Sequence, residues 1–202
     1  MLTLAERERI AAVIRDVEAH TAGEIVVVVS RAAASYRSVP LFYALLGALA
    51  TPWPLIWLTY LSAARIFLFQ MIMAVALTVA FSWPRRRFAL VPNFIKRARG
   101  REAAAREFVA RGLTRTRGRT GVLLYVAVAE RYAEVVADTA IADRVDETAW
   151  RQTITGVVRA LHEGRAADGL EEAVRRVGAI LREHAPKSGQ EADELPNRVI
   201  LL

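Results

Sequence analysis

Residues 39–83 read VPLFYALLGALATPWPLIWLTYLSAARIFLFQMIMAVALTVAFSW, and the one charged side chain among them is Arg65. A bilayer core about 30 Å thick is crossed by about 20 apolar helical residues, each rising about 1.5 Å. The stretch is therefore long enough for two crossings. Ser62-Ala63-Ala64-Arg65 reads as the turn between them, because an Arg at the centre of a span costs roughly 2.5–3.5 kcal/mol on insertion scales and little among headgroups. The expectation is a helical hairpin, 39–61 out and 66–83 back. Trp53, Trp57 and Trp83 read as interface anchors or lipid-facing packing.

Outside this stretch, the 202-residue chain leaves enough for one domain of roughly 100–150 residues, built from both flanks together. Cysteine is absent, so no disulfide or Cys-ligated metal site can form. The first 37 residues lack the basic start, apolar run and small-residue cleavage site of a signal peptide.

Charge is uneven. Residues 85–119 hold Arg85, Arg86, Arg87, Lys96, Arg97, Arg99, Arg101, Arg106, Arg111, Arg115, Arg117 and Arg119 against only Glu102 and Glu107. The whole chain carries +7, so the rest is net acidic. Arg31 and Arg37 precede the first span and the arginine cluster follows the second. Basic flanks mark the cytoplasmic side, so the expectation is a multi-pass protein of a bacterial inner membrane with both termini cytoplasmic. Arg85, Arg86, Arg87, Lys96, Arg97, Arg99 and Arg101 are the expected contacts to anionic lipids. The cluster has no reader motif and few aromatics for stacking, which argues against nucleic acid.

Thr3-Leu4-Ala5-Glu6 has the form of a capping box opening a helix to His20, with Ile10, Val13, Ile14 and Val17 on one face. Gly23 is expected to end that helix in the left-handed conformation. Residues 24–30 (EIVVVVS) read as a strand covered on both faces. After the hairpin, 94–116 reads as a helix with Ala103, Phe108, Val109 and Leu113 inward. Residues 122–128 and 132–138 read as strands, the second nearer an edge. Asp146 caps the next helix. Asp168 with Glu171 has the form of a second capping box, opening a helix that Pro186 stops. Residues 187–194 read as a loose tail, and 195–202 as an apolar end that docks on the domain or grazes the membrane. This order predicts a small layered α/β domain with the spans inserted after its first strand. The divisions are 1–37, the first part of the domain; 38–84, the hairpin; 85–185, the basic helix and the remainder of the domain; and 186–202, the tail.

Asp138, Asp143 and Asp146 cluster in sequence at the end of the third strand, where carboxylates could hold Ca²⁺ or Mg²⁺ through oxygen. Asp146 also has the position of a helix cap. His20, His162 and His184 fall at helix C-terminal ends, where a cation suits the helix dipole. Arg117-Gly118-Arg119-Thr120-Gly121 precedes a strand, so it lacks the strand-to-helix context of a phosphate loop. No nucleophile elbow is present.

Three pieces carry a family resemblance: Thr21-Ala22-Gly23-Glu24-Ile25-Val26-Val27-Val28; Gly112-Leu113 with Arg119-Thr120-Gly121-Val122-Leu123-Leu124-Tyr125-Val126; and His162-Glu163-Gly164-Arg165-Ala166-Ala167-Asp168-Gly169-Leu170. Together they resemble the TPM domain. The resemblance implies a three-layer α/β/α sandwich and, for some members, weak acid phosphatase activity, divalent metal binding, or assembly and repair of membrane complexes. The chain departs from the family's pattern in two ways. Met1-Leu2-Thr3-Leu4 stands where a Val-x-Asp motif precedes the first helix, and the spans interrupt the domain instead of following it. The resulting reading is a non-enzymatic binding or scaffolding module that partners a membrane protein. The alternative is a weak metal-dependent acid phosphatase.

Overall fold

A computed structural model describes residues 2–36, 38–83, 88–187, 189 and 194–202. The chain forms two units: Met1–Ala34 with Arg97–Leu202, and Ser35–Lys96.

The first unit is mixed α/β, a four-stranded sheet flanked by helices. Its elements are α1 (Leu4–Glu18), β1 (Ile25–Ser30), the greater part of α5 (Asn93–Ala110), β2 (Val122–Ala127), β3 (Tyr132–Ala137), the short α6 (Thr139–Ala142), α7 (Glu147–His162), α8 (Ala166–His184) and β4 (Val199–Leu201). The strand order is β3-β2-β1-β4. β1 runs parallel to β2 in the register Ile25↔Val122 through Ser30↔Ala127, and parallel to β4 with Val27↔Val199. β3 returns antiparallel on β2.

β1 lies inside the sheet, between β2 and β4, and every residue of it is buried. Its alternating side chains supply two cores. Ile25, Val27 and Val29 join Val122, Leu124 and Val126 under α1 and α8, packing with Ile10, Ile14, Leu170, Val174 and Leu181. Val26 and Val28 join Leu123 and Tyr125 on the other face, under Ala103, Ala104 and Phe108 of α5. Strands with both faces covered read as continuous apolar runs, which is the pattern of this one. Each fully buried Val or Leu contributes roughly 1.5–3 kcal/mol.

Several local expectations hold and others are corrected. Thr3 and Glu6 form both halves of the capping box on α1. Asp168 and Glu171 do not cap α8, whose N-cap is Arg165 with no side-chain bond. Both carboxylates instead bind Arg9 of α1, Asp168 at 2.8 Å and Glu171 through Arg9 Nε. Gly23 does not terminate α1; the helix ends at Glu18, with Ala19 right-handed behind it. Gly23 is needed for space, because a Cβ there would lie 2.7 Å from Leu181 Cδ2. α5 ends at Ala110, and Gly112, at φ +78°, turns the chain into the 3₁₀ segment Leu113–Arg115. Val109, expected inward, is 63% exposed. The apolar end docks on the domain as β4, at the far edge of β1.

The second unit holds α2 (Ser38–Ala50), α3 (Pro52–Leu58) and α4 (Ala63–Ser82). Ser38–Leu58 and Ala63–Ser82 are long and apolar enough to cross a membrane. The connection between them is 59–62, earlier than expected, and Arg65 lies in the first turn of α4. Pro52 divides the first of them, since it cannot supply the backbone N–H that a continuous helix needs. Ala44 and Ala48 of α2 are buried, while no residue of α4 is.

Candidate binding cleft

Because β1, β2 and β4 are parallel, the loops leading into all three arrive at one end of the sheet. They enclose a cleft of about 900 Å³. Arg15 and Glu18 line it from the last turn of α1, and Thr21, Gly23 and Glu24 from the α1–β1 connection; Thr116, Arg117, Gly118 and Thr120 from the approach to β2; and Lys187, Glu194 and Asn197 from the C-terminal segment. Asp138 reaches the same end on β3, where its N–H donates to the Gly121 carbonyl (2.9 Å).

Side chains fasten these loops to one another. Glu18 and Glu24 are buried at the start of β1, each 8% exposed. Glu18 Oε1 accepts the Ile25 N–H (2.7 Å), and Glu24 Oε1 accepts the Glu194 N–H (2.9 Å). Glu194 Oε2 in turn accepts the Arg117 N–H (3.3 Å). Thr21 Oγ1 donates to the Ala185 carbonyl (2.6 Å) and Thr120 Oγ1 to the Ala22 carbonyl (2.8 Å). Hydrogen bonds to charged acceptors are worth about 1.5–3 kcal/mol each, so the carboxylates hold the walls together. Arg15 and Arg117 line the cleft with no carboxylate partner among the described residues. Lys187 Nζ donates to the Glu18 carbonyl (3.4 Å). The arrangement suits an anionic group held by cations above a floor whose own carboxylates already accept backbone donors.

The three aspartates singled out in the sequence take separate positions. Asp138 is the N-cap of α6 and is 5% exposed. Its Oδ1 accepts the Thr139 N–H (2.7 Å) and lies 3.4 Å from Arg119 Nε, while its Oδ2 is buried without a hydrogen-bond partner. Arg119 is held at φ +53°, a left-handed conformation uncommon outside glycine. Asp143 is the C-cap of α6. Asp146 caps α7, and bonds from the Thr148 hydroxyl and N–H hold its carboxyl below the ordinary range. Among the described residues no three His, Asp or Glu side chains gather to hold a metal. His20 and His162 each face a carbonyl of their own last turn, Asp16 O and Val158 O, both at 2.8 Å.

Of the expected lipid contacts, Arg97, Arg99 and Arg101 are exposed along α5 and Lys96 is half-buried; Arg85, Arg86 and Arg87 lie outside the described residues. The cleft carboxylates Glu18, Glu24 and Glu194 were not singled out in sequence. They are distant in the chain, and the available signal was Glu24 standing directly before an unbroken β-branched run.

Fold and cleft define a small mixed α/β domain with a polar cleft at one end of its sheet and an apolar helical hairpin inserted after its first strand. The family model of the TPM domain matches residues 85–180 of the chain. The NMR structure of the BA42 protein from the psychrophilic bacterium Bizionia argentinensis has the same fold, with a TM-score of 0.61 at 21% identity over 100% of this chain and 96% of that one. No curated protein matches the chain.

Proposed function

We propose that the protein is a membrane-anchored TPM domain, an α/β/α sandwich that acts as a non-enzymatic binding or scaffolding module at the cytoplasmic face of a bacterial inner membrane. The observation that carries this reading is the hairpin. No residue of α4 is fully buried, and Phe67, Leu68, Ile72, Val75 and Val79 are each more than half exposed. Apolar surface of that extent on a monomer marks a membrane or protein interface, and the length of the two helices favours the membrane. The basic flanks, Arg31 and Arg37 before the hairpin and the cluster beginning at Arg85 after it, support cytoplasmic ends and contact with anionic lipids. The cleft is the surface for a partner, a membrane protein that presents an anionic group to Arg15 and Arg117.

Three measurements test this. The protein should stay in the membrane fraction after a high-salt or alkaline wash; release would overturn the anchor. A reporter active only in the periplasm, fused after Leu202, should stay silent. Crosslinking through a photoreactive group placed at Arg117 should capture a membrane protein, and Arg15→Glu should abolish the adduct.

One observation favours a second reading, a weak acid phosphatase using Ca²⁺ or Mg²⁺: the buried Oδ2 of Asp138 beside Arg119. Turnover of a generic phosphomonoester that depends on the metal and is lost in Asp138→Asn would replace the binding-module reading. Absence of both turnover and metal-induced stabilisation would remove the phosphatase.

A further inference from the structure

Among the described residues, nothing covers the outer face of helix α5. Its inner face is Gly100, Ala103, Ala104 and Phe108. On the opposite side Ala98, Ala105 and Val109 follow one another at i, i+7 and i+11, all exposed. Arg101 runs along one edge of this line, and Arg99 and Arg106 along the other, by the helical period, while Arg97 shares the line of Ala104 and Phe108. The acidic residue on this face, Glu102, is held by Arg99 at 2.8 Å, and Glu107 is held by Arg111 at 2.7 Å. Arg97 and Arg106 have no carboxylate partner among the described residues, and Arg101, 80% exposed, reaches Glu134 only at 3.7 Å. This face has Phe94, 73% exposed and one turn before Ala98, followed by short apolar side chains between long cationic ones. Arginine stems can lie along such a line while their guanidinium groups reach outward to phosphates, and the alanines let the backbone come close.

We propose that the outer face of α5 rests on the headgroups of anionic lipids, with Phe94, Ala98, Ala105 and Val109 at the surface and Arg101 and Arg106 on lipid phosphates. This rests on the membrane-anchor part of the reading above.

The absence of cysteine makes single-site labelling of the full chain clean. Spin labels are placed at Ala105→Cys on α5, Thr155→Cys on α7 and Val75→Cys on α4, in nanodiscs of phosphatidylcholine alone or with phosphatidylglycerol added. Accessibility to a water-soluble nickel complex and to lipid-soluble oxygen is then read. The Ala105 label should lose most of its nickel accessibility when phosphatidylglycerol is present, while the Thr155 label is unchanged. Arg101→Glu with Arg106→Glu should return the Ala105 label to water, shifting its docked-to-free ratio by about thirtyfold or more. If the Val75 label is in lipid but the Ala105 label stays water-accessible in both lipid mixtures, the proposal fails while the anchor stands. Shielding that is equal in both lipids, or that depends on protein concentration or added nucleic acid, overturns it in favour of a protein or nucleic-acid occupant. A water-accessible Val75 label would instead overturn the anchor itself.

Discussion

Leu202 is bonded on both sides to the strand beside it: its N–H donates to the Val29 carbonyl (3.1 Å), and its carbonyl accepts the Arg31 N–H (3.0 Å). The end of the sequence thus covers the edge of β1 at the point where the chain leaves for the hairpin. Deleting 199–202 removes these bonds and the β4 pairing and uncovers an edge that other chains could join. At about 1 kcal/mol net per hydrogen bond the loss should reach about 3 kcal/mol. Hydrogen exchange of the detergent-solubilised chain should show the Arg31 amide opening much faster than in the full sequence. Unchanged protection there would mean that β4 adds nothing to the sheet.

Two glycines on α7 and α8 should respond in opposite directions to the same substitution. A Cβ on Gly178 would lie 2.3 Å from Val17 Cγ1, so Gly178→Ala forces α8 away from α1 and should cost about 1–3 kcal/mol. Gly156 is exposed, with nothing near its added Cβ, so Gly156→Ala should gain about 0.5–1 kcal/mol from helix propensity alone. Thermal melts of the two variants against the parent check both signs.

Acid should loosen the starts of α1 and α7 first. The Thr3 backbone N–H and then its hydroxyl hold Glu6 below its ordinary value of 4.5, and the Thr148 hydroxyl and N–H hold Asp146 below 3.8. A carboxyl with a lowered folded pKa contributes stability that is fully present above the unfolded value and lost as pH falls through the folded one. These two caps should therefore be insensitive to pH between about 5 and 7 and weaken below about 4. Amide exchange at the first turns of both helices, corrected for intrinsic rate, should rise over that acid range. Glu6→Gln and Asp146→Asn should each flatten the response at their own helix. A flat response in the parent would show that the caps are not formed by charged carboxylates.

The parts of this fold legible in the sequence are those set by local chemistry. The run Ile25–Val29 declares a doubly covered strand, the Thr3–Glu6 box declares a helix start, and residues 39–83 declare the hairpin. What was missed depends on pairing across the chain. β4 is three residues long, and its strand conformation is set by the β1 edge rather than by its own period. Asp168 and Glu171 satisfy the capping pattern, yet Arg9 on a neighbouring helix takes both. Val109 continues an inward stripe, but α5 ends at Ala110 and leaves it outside. The cleft could not be read from spacing, because Glu18, Arg117 and Glu194 meet only where three parallel strands begin. The aspartate group shows the opposite case: residues close in sequence that cap separate helix ends.

Within the hairpin, Gly47 and Leu77 are fitted to each other. A Cβ on Gly47 would lie 2.4 Å from Leu77 Cδ1, and Ala44 and Ala48 beside it are buried. Small residues at such a seam let two helices approach closely, which is how apolar helices associate where lipid removes the hydrophobic difference between buried and exposed surface. Gly47→Leu should therefore overpack the seam and cost about 1–3 kcal/mol. Leu77→Ala alone should leave a void, and the two changes together should cost less than their sum, because each relieves the other. The denaturation midpoint of the full chain in detergent, read for both single variants and the double, gives the coupling directly. Val75→Leu, on a position 61% exposed, should be neutral and serves as the reference for an added side-chain volume that meets only detergent. Strict additivity of the Gly47 and Leu77 changes would show that the seam does not close as described.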